Sequence, residues 1–251
     1  LNLTRGVKIR GEPGHLAHYR NVSAKLDSEQ LAYAEVSWMG VPRIDADGNN
    51  VGVLGRYGLH EHMRADSSKG TLLEGLVIKH SGNWAFVTHM SNRVTHRNNI
   101  AYDCQREAYT WDRGTMTDDV LYDRCVAAWV RVIPSFRGTR LSAFNLARGR
   151  RNVVRDCLAT GVMGNRDASG YLWPEDLVQA GAADGVWGFE GINISLANKR
   201  LGLFTWQNTG RLHKVPTQGT FVSINCGGGG IGHGAYLNGY QYGVAGKIII
   251  Y

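Results

Sequence analysis

Apolar and polar residues alternate along this chain in short runs, and no run keeps a helical period. Val77-Ile-Lys-His-Ser, Phe86-Val-Thr-His-Met and Ile100-Ala-Tyr-Asp-Cys each give way after a few residues to small or polar positions. Short runs rich in β-branched and aromatic residues predict strands, because a helix needs about ten residues or more to bury a stripe. The runs also recur. Aligned at an offset of 23, the stretch from Gly75 and the stretch from Asn98 pair Val77 with Ile100, His80 with Asp103, Ala85 with Ala108, Phe86 with Tyr109 and His89 with Asp112. A third copy from Asp118 follows at an offset of 20, setting Asp123 against Asp103 and Ala128 against Ala108. Asn152-Val-Val-Arg-Asp reads as a fourth copy with Asp156 in the same column, and Ile192-Asn-Ile-Ser-Leu as a looser fifth.

Units of 20 to 23 residues holding two or three strands fit one coil of a parallel β-helix. A single coil cannot bury its inward face, whereas stacked coils set like residues about 4.8 Å apart in continuous columns. An antiparallel sandwich would need hairpin turns, and only Asp47-Gly48 and Asn238-Gly239 supply clear ones. The expected fold is all-β: one solenoid domain over residues 1–251, with insertions near 131–151 and 163–190. Phe86, Tyr109 and Trp129 are expected to stack inside it. The ladder His80, Asp103, Asp123 and Asp156 is expected at turns, satisfying backbone amides. The ends of a solenoid are open edges, so self-association through them is a further expectation.

Composition supports this reading. The chain has 33 glycines and 5 prolines, which suits many tight turns. The formal charge of +7 admits polyanionic partners. Basic and aromatic residues interleave too diffusely to point to nucleic acid. No apolar run is long enough for a membrane span. The chain opens on Leu1-Asn-Leu-Thr-Arg with no initiator Met or signal peptide, which reads as a processed protein or a piece of a longer one. Cys104, Cys125, Cys157 and Cys226 form no CxxC pair, and their pairing is left open. Sequons occur at Asn2, Asn21 and Asn193.

The chemistry concentrates at Gly55-Arg-Tyr-Gly-Leu-His-Glu-His-Met63. Alternate strand residues share a face, so His60 and His62 project together. Register then adds His89 and Asp112, giving three imidazoles and a carboxylate. That donor set suits a divalent transition metal such as zinc or copper better than calcium. A metal-free alternative uses Asp66, Asp103, Glu107 and Asp112 as acid and base for glycosidic cleavage, or His with Arg for β-elimination from a uronic acid sugar. Trp173 and Trp187, in an insertion, are candidate sugar-stacking platforms.

The segment Gly55 to Asp66 resembles the Gly-Arg-Tyr-Pro-hydrophobic-His-aromatic-His-x-x-Gly-Asp motif of the cell-surface and secreted hyaluronan-depolymerising proteins of the cell-migration-inducing, hyaluronan-binding type. Leu3-Thr4-Arg5, Thr88-His89, Asn99 to Asp103 and Ala108 to Gly114 are similar to further segments of that family. The resemblance implies a right-handed parallel β-helix acting outside the cell or at its surface on a glycosaminoglycan-like acidic polysaccharide, as a hydrolase or lyase. It implies His60, His62, Asp66, His89 and Asp112 as the site, with Arg56 as a carboxylate-binding partner. Two non-enzymatic readings stand beside it: a structural or adhesive, filament-forming β-helix, and a glycan-binding module without turnover.

Overall fold

The computed structural model describes residues 2–25, 29–110, 117–131, 140–145, 151–164, 166–173, 188–208, 219–227, 235–239 and 247–251. Its strands form three sheets, all of whose strand pairings are parallel. The first sheet runs Val7–Arg10, Ala34–Ser37, Val77–Ser81, Ile100–Cys104, Val126–Arg131, Leu158–Met163, Ile192–Leu196, Thr220–Ile224 and Lys247–Ile250. The second runs Tyr19–Asn21, Leu59–Ala65, Phe86–Ser91, Tyr109–Thr110, Arg140–Asn145, Arg166–Trp173, Leu201–Asn208 and Ala235–Gly239. The third holds Gln30–Ala32, Leu72–Glu74, Thr95–Arg97, Leu121–Asp123, Val153–Arg155 and Gly188–Glu190. As far as Glu190 the chain visits first, second and third sheet in turn, so each circuit is one coil of a parallel β-helix; beyond it the described strands alternate between the first two sheets. Among the described residues no helix is long and apolar enough to cross a membrane.

The interior is built from columns. Phe86, Tyr109, Phe144 and Tyr171 stack face to face, with ring centroids 4.8, 4.7 and 4.9 Å apart. The third sheet adds the inward column Leu31, Leu73, His96, Tyr122, Val154 and Phe189. His96 is fully buried there, stacked on Tyr122 at 5.0 Å, with Nε2 2.9 Å from Thr88 Oγ1. The first sheet contributes Val36, Ile78, Ala101, Ala127 and Ala159.

Corners turn on left-handed residues, which recur at matching places in successive coils. Trp38, His80, Asp103, Trp129, Gly161, Ala197 and Asn225 occupy the corner leaving the first sheet, with φ between 48° and 65°. Tyr33, Gly75, Asn98, Arg124, Asp156 and Gly191 occupy the corner entering it, with φ between 51° and 61°. Buried asparagines then tie coil to coil. Asn99 accepts from the Leu76 amide and donates to the Leu73 carbonyl of the preceding coil. Asn152 does the same for Val120 and Thr117, Asn193 for Cys157 and Val154, and Asn198 for Val162 and Ala159. The sequon at Asn193 is therefore closed to modification in the folded chain. Cys104, Cys125 and Cys157 are buried free thiols, and Cys226 is free as well.

The expected register holds from Val77 to Thr110, where Val77 pairs with Ile100 and Phe86 with Tyr109. Beyond it, the offset of 20 is wrong. Ile100 pairs with Val126 and Thr95 with Leu121, an offset of 26 in both sheets. Trp129 consequently leaves the aromatic stack for a corner, where it is 45% exposed, and Phe144 takes its place. The Asp ladder also divides. His80 bonds Asp103 at 2.8 Å on one corner, Asp123 faces Arg97 and Arg155 in the third sheet, and Asp156 stands on another corner. The stretches read as insertions at 131–151 and 163–190 contain the regular strands Arg140–Asn145, Arg166–Trp173 and Gly188–Glu190.

Candidate metal centre

The coil between Glu35 and its partner Val77 is the longest of the solenoid, at 42 residues. Its excess lies at 38–58, between Ser37 and Leu59, and delivers Gly55-Arg56-Tyr57 to the edge of the second sheet. Asn83 staples this loop in place, donating its amide protons toward the carbonyls of Val41, Val53 and Arg56. Gly52 lies against that amide with φ +68°, and a Cβ there would stand 2.3 Å from Asn83 Oδ1. Gly58 donates its N–H to the Trp84 carbonyl, and a Cβ on it would meet the Ala85 carbonyl at 2.7 Å. A proline there would lose that hydrogen bond, and any side chain would meet that carbonyl, which accounts for glycine at this position.

Tyr57 is buried between Trp84 and His60, with ring centroids at 4.8 and 4.7 Å. The strand Leu59–Ala65 then alternates: Leu59 packs in the core, His60 projects outward, Glu61 turns in and His62 turns out. At Met63 the backbone becomes left-handed and the register slips, a bulge that re-aims Arg64 into the interior. Arg64 Nη1 reaches Glu61 Oε2 at 2.6 Å and lies 3.6 Å from Glu29 Oε2. Thr71 Oγ1 accepts from Arg64 as well, at 3.0 Å. Burial and the charge of Glu29 push the Glu61 carboxyl up to about 7, against the pull of Arg64. The centre of His-x-His is thus an internal ion pair that holds the strand carrying both imidazoles. The sequence reading missed this pair, because nothing in the residue pattern marks the bulge.

His62 pairs in register with His89 on the next coil. His60 Nε2 lies 3.2 Å from His62 Nδ1, and His62 Nδ1 lies 3.2 Å from His89 Nδ1. One nitrogen from each ring falls within 4.8 Å of the others. Imidazole nitrogens about 2.1 Å from a tetrahedral ion stand about 3.4 Å apart, so both short edges match shared coordination. An imidazole nitrogen has a single in-plane valence, and His62 Nδ1 can serve only one of its two neighbours through a conventional hydrogen bond. His60 is buried with its Nδ1 unpartnered, and burial together with His62 and His89 pushes its pKa down to about 3. Neutral imidazole is the form that ligates metal. The cluster can hold a metal ion with three protein ligands, leaving a position open to a further ligand.

No protein-family model, curated protein or solved structure matches this chain.

The other sequence candidates are placed as follows. Asp66 opens a 3-10 turn after the left-handed Ala65, is 65% exposed, and bonds Asn92 Nδ2 at 3.1 Å with Arg93 at 3.7 Å. The histidine cluster is therefore assembled without it. Arg56 is exposed on the loop. Glu107 accepts from the Trp84 indole and lies 3.8 Å from Arg106, which covers the Trp84 ring, so it braces the wall behind Tyr57. Asp103 sits on a corner where burial is outweighed by Arg131 and His80, which hold its carboxyl below the usual range. Asp112 and Trp187 lie outside the described residues, as does the side chain of Trp173, whose backbone ends a second-sheet strand.

Proposed function

We propose that this chain is a carbohydrate-active β-helix protein that depolymerises an acidic, glycosaminoglycan-like polysaccharide outside the cell, with a divalent transition metal, zinc or copper, held by His60, His62 and His89. The observation that carries the reading is the pair of 3.2 Å nitrogen–nitrogen edges meeting at His62 Nδ1. Three imidazoles, joined by no carboxylate among the described residues, suit a borderline ion better than calcium or magnesium. A bound ion would supply Lewis-acid polarisation of a substrate oxygen. The chain's own residues supply the rest. Tyr57 and Trp84 wall His60 from water on its inner side, Glu61 and Arg64 fix the strand, and Arg56 offers a cation to a uronate carboxylate. Asp66 and Asp112 are the carboxylates offered for proton transfer in hydrolysis or elimination. The net charge of +7 supports attraction of a polyanion.

The test is chain shortening. Purified protein incubated with a panel of acidic polysaccharides should lower their viscosity, and both a chelator and His62→Ala should abolish the effect. Full depolymerisation after both treatments would remove the metal from the reading. A second reading, an adhesive β-helix whose solenoids stack end to end as a filament, rests on the parallel pairing that runs through all three sheets, because a parallel strand edge can take a further strand. Concentration-dependent filaments by electron microscopy without sugar release would favour it.

A further inference from the structure

We propose that Arg20 and Arg56 form an oxyanion subsite beside the histidine cluster, taking a carboxylate or sulfate group of the acidic sugar chain; this rests on the depolymerase reading above. Arg20 belongs to the coil before the histidine motif, and the register sets it directly opposite His60. Parallel neighbours of that kind stand about 4.8 Å apart at the backbone. Its side chain is exposed, and Nη1 lies 3.9 Å from where a Cβ on Gly55 would sit, so the guanidinium lies against the turn that carries Arg56.

The two arginines differ from most others whose side chains are described. Arg64, Arg93, Arg97, Arg106, Arg124, Arg131, Arg151 and Arg155 each stand within 4 Å of a carboxylate. Neither Arg20 nor Arg56 has an acidic partner or a hydrogen bond to its guanidinium among the described residues. Glu61, the acid nearest in sequence to His60, faces inward and is taken by Arg64. Arg20, opposite His60, and Arg56, on the turn against which Arg20 lies, are therefore two guanidiniums without compensating charge among the described residues. His18 lies within the field of both: burial, Arg56 and Arg20 together hold its pKa below the ordinary value. A planar guanidinium binds a carboxylate or sulfate through paired N–H donors, and it remains charged at any working pH. An acidic sugar anchored there would lie across His60 toward His62 and His89, which orients one bond of the chain over the cluster.

The test is calorimetric binding by the protein as purified, with its metal content measured in every variant. Three tetrasaccharides serve as probes: one containing uronate, the same with its carboxyls reduced to alcohols, and a sulfated neutral one. The wild type should prefer at least one charged probe over the reduced one by tenfold or more, and the probe preferred identifies the oxyanion. Arg20→Gln and Arg56→Gln should each weaken that binding about tenfold, Arg20→Lys should recover part of it, and Arg151→Gln should leave it unchanged, with metal content constant throughout. Equal binding of all three probes, no binding of any, or undiminished binding by Arg20→Gln with Arg56→Gln overturns the subsite. Chain shortening that persists in that double variant at wild-type KM overturns the subsite and leaves the depolymerase intact. Charge-selective binding lost in the variants, with no chain shortening by the wild type, keeps the subsite and removes the depolymerase.

Discussion

His96 offers a direct test of how the interior is built. It occupies a column otherwise filled by Leu31, Leu73, Tyr122, Val154 and Phe189, and its Nδ1 has no partner. Burial alone pushes its pKa from 6.5 down to about 3. The folded state therefore refuses a proton that the unfolded chain accepts across that interval, and stability must fall as pH drops from about 6.5 toward 3. One pKa unit corresponds to about 1.4 kcal/mol, so the loss at pH 5 is about 2 kcal/mol, approaching about 5 kcal/mol below pH 3. His60, also lowered to about 3, acts in the same direction. Glu61 acts oppositely: raised to about 7, it favours the folded state below the unfolded carboxyl value, and that contribution is lost as pH rises toward 7. The variant His96→Phe isolates one term, because a phenyl ring can take the stack on Tyr122 and cannot titrate. Denaturant unfolding followed by intrinsic fluorescence, with chelator present, should show wild type losing about 2 kcal/mol more than the variant between pH 7.5 and pH 5. Identical pH dependence in the two proteins would refute the buried, neutral imidazole.

Three further outcomes follow from the packing. Phe144→Ala should cost about 3–5 kcal/mol and Trp129→Ala less than about 1 kcal/mol, since only the former lies in the stack; thermal unfolding compares them, and a reversed order would restore the offset-20 register. Arg64→Met should cost about 3–5 kcal/mol by leaving Glu61 buried without its cation, and adding Glu61→Gln should recover part of it; additive losses in the double variant would deny the coupling. Asn152→Ala should cost about 1–3 kcal/mol by stranding the Val120 amide and the Thr117 carbonyl, and it should raise hydrogen exchange at Val120 first; unchanged exchange there would deny the ladder.

The fold class was legible because the columns repeat in residue type. The 23-residue match between Val77 and Thr110 is the true register, and the step of 27 from His62 to His89 is a real pairing. The next coil was misread for a local reason. Leu121-Tyr-Asp in the third sheet mimics Ala101-Tyr-Asp in the first, and short strands carry no label of the sheet they join. Coil length varies because extra residues go to the corners, from 23 between Val77 and Ile100 to 42 between Glu35 and Val77, so no fixed period exists to be found. The three histidines were visible because strand alternation and coil register both act over short distances. Glu61 and Arg64 were not, since their meeting depends on the left-handed Met63. Arg20 was not, since its place opposite His60 depends on a step of 40 residues through the longest coil. A signal did exist in Gly55-Arg-Tyr: Tyr57 and Arg56 flank the turn that brings the loop against His60.

The central claim is that His60, His62 and His89 share one ion. Elemental analysis after loading with zinc or copper and gel filtration tests it most directly. The account predicts one metal per chain in the wild type and less than a tenth of that in His60→Ala/His62→Ala/His89→Ala, with circular dichroism unchanged. A folded wild type that holds no metal, or a triple variant that keeps a full equivalent, would contradict it.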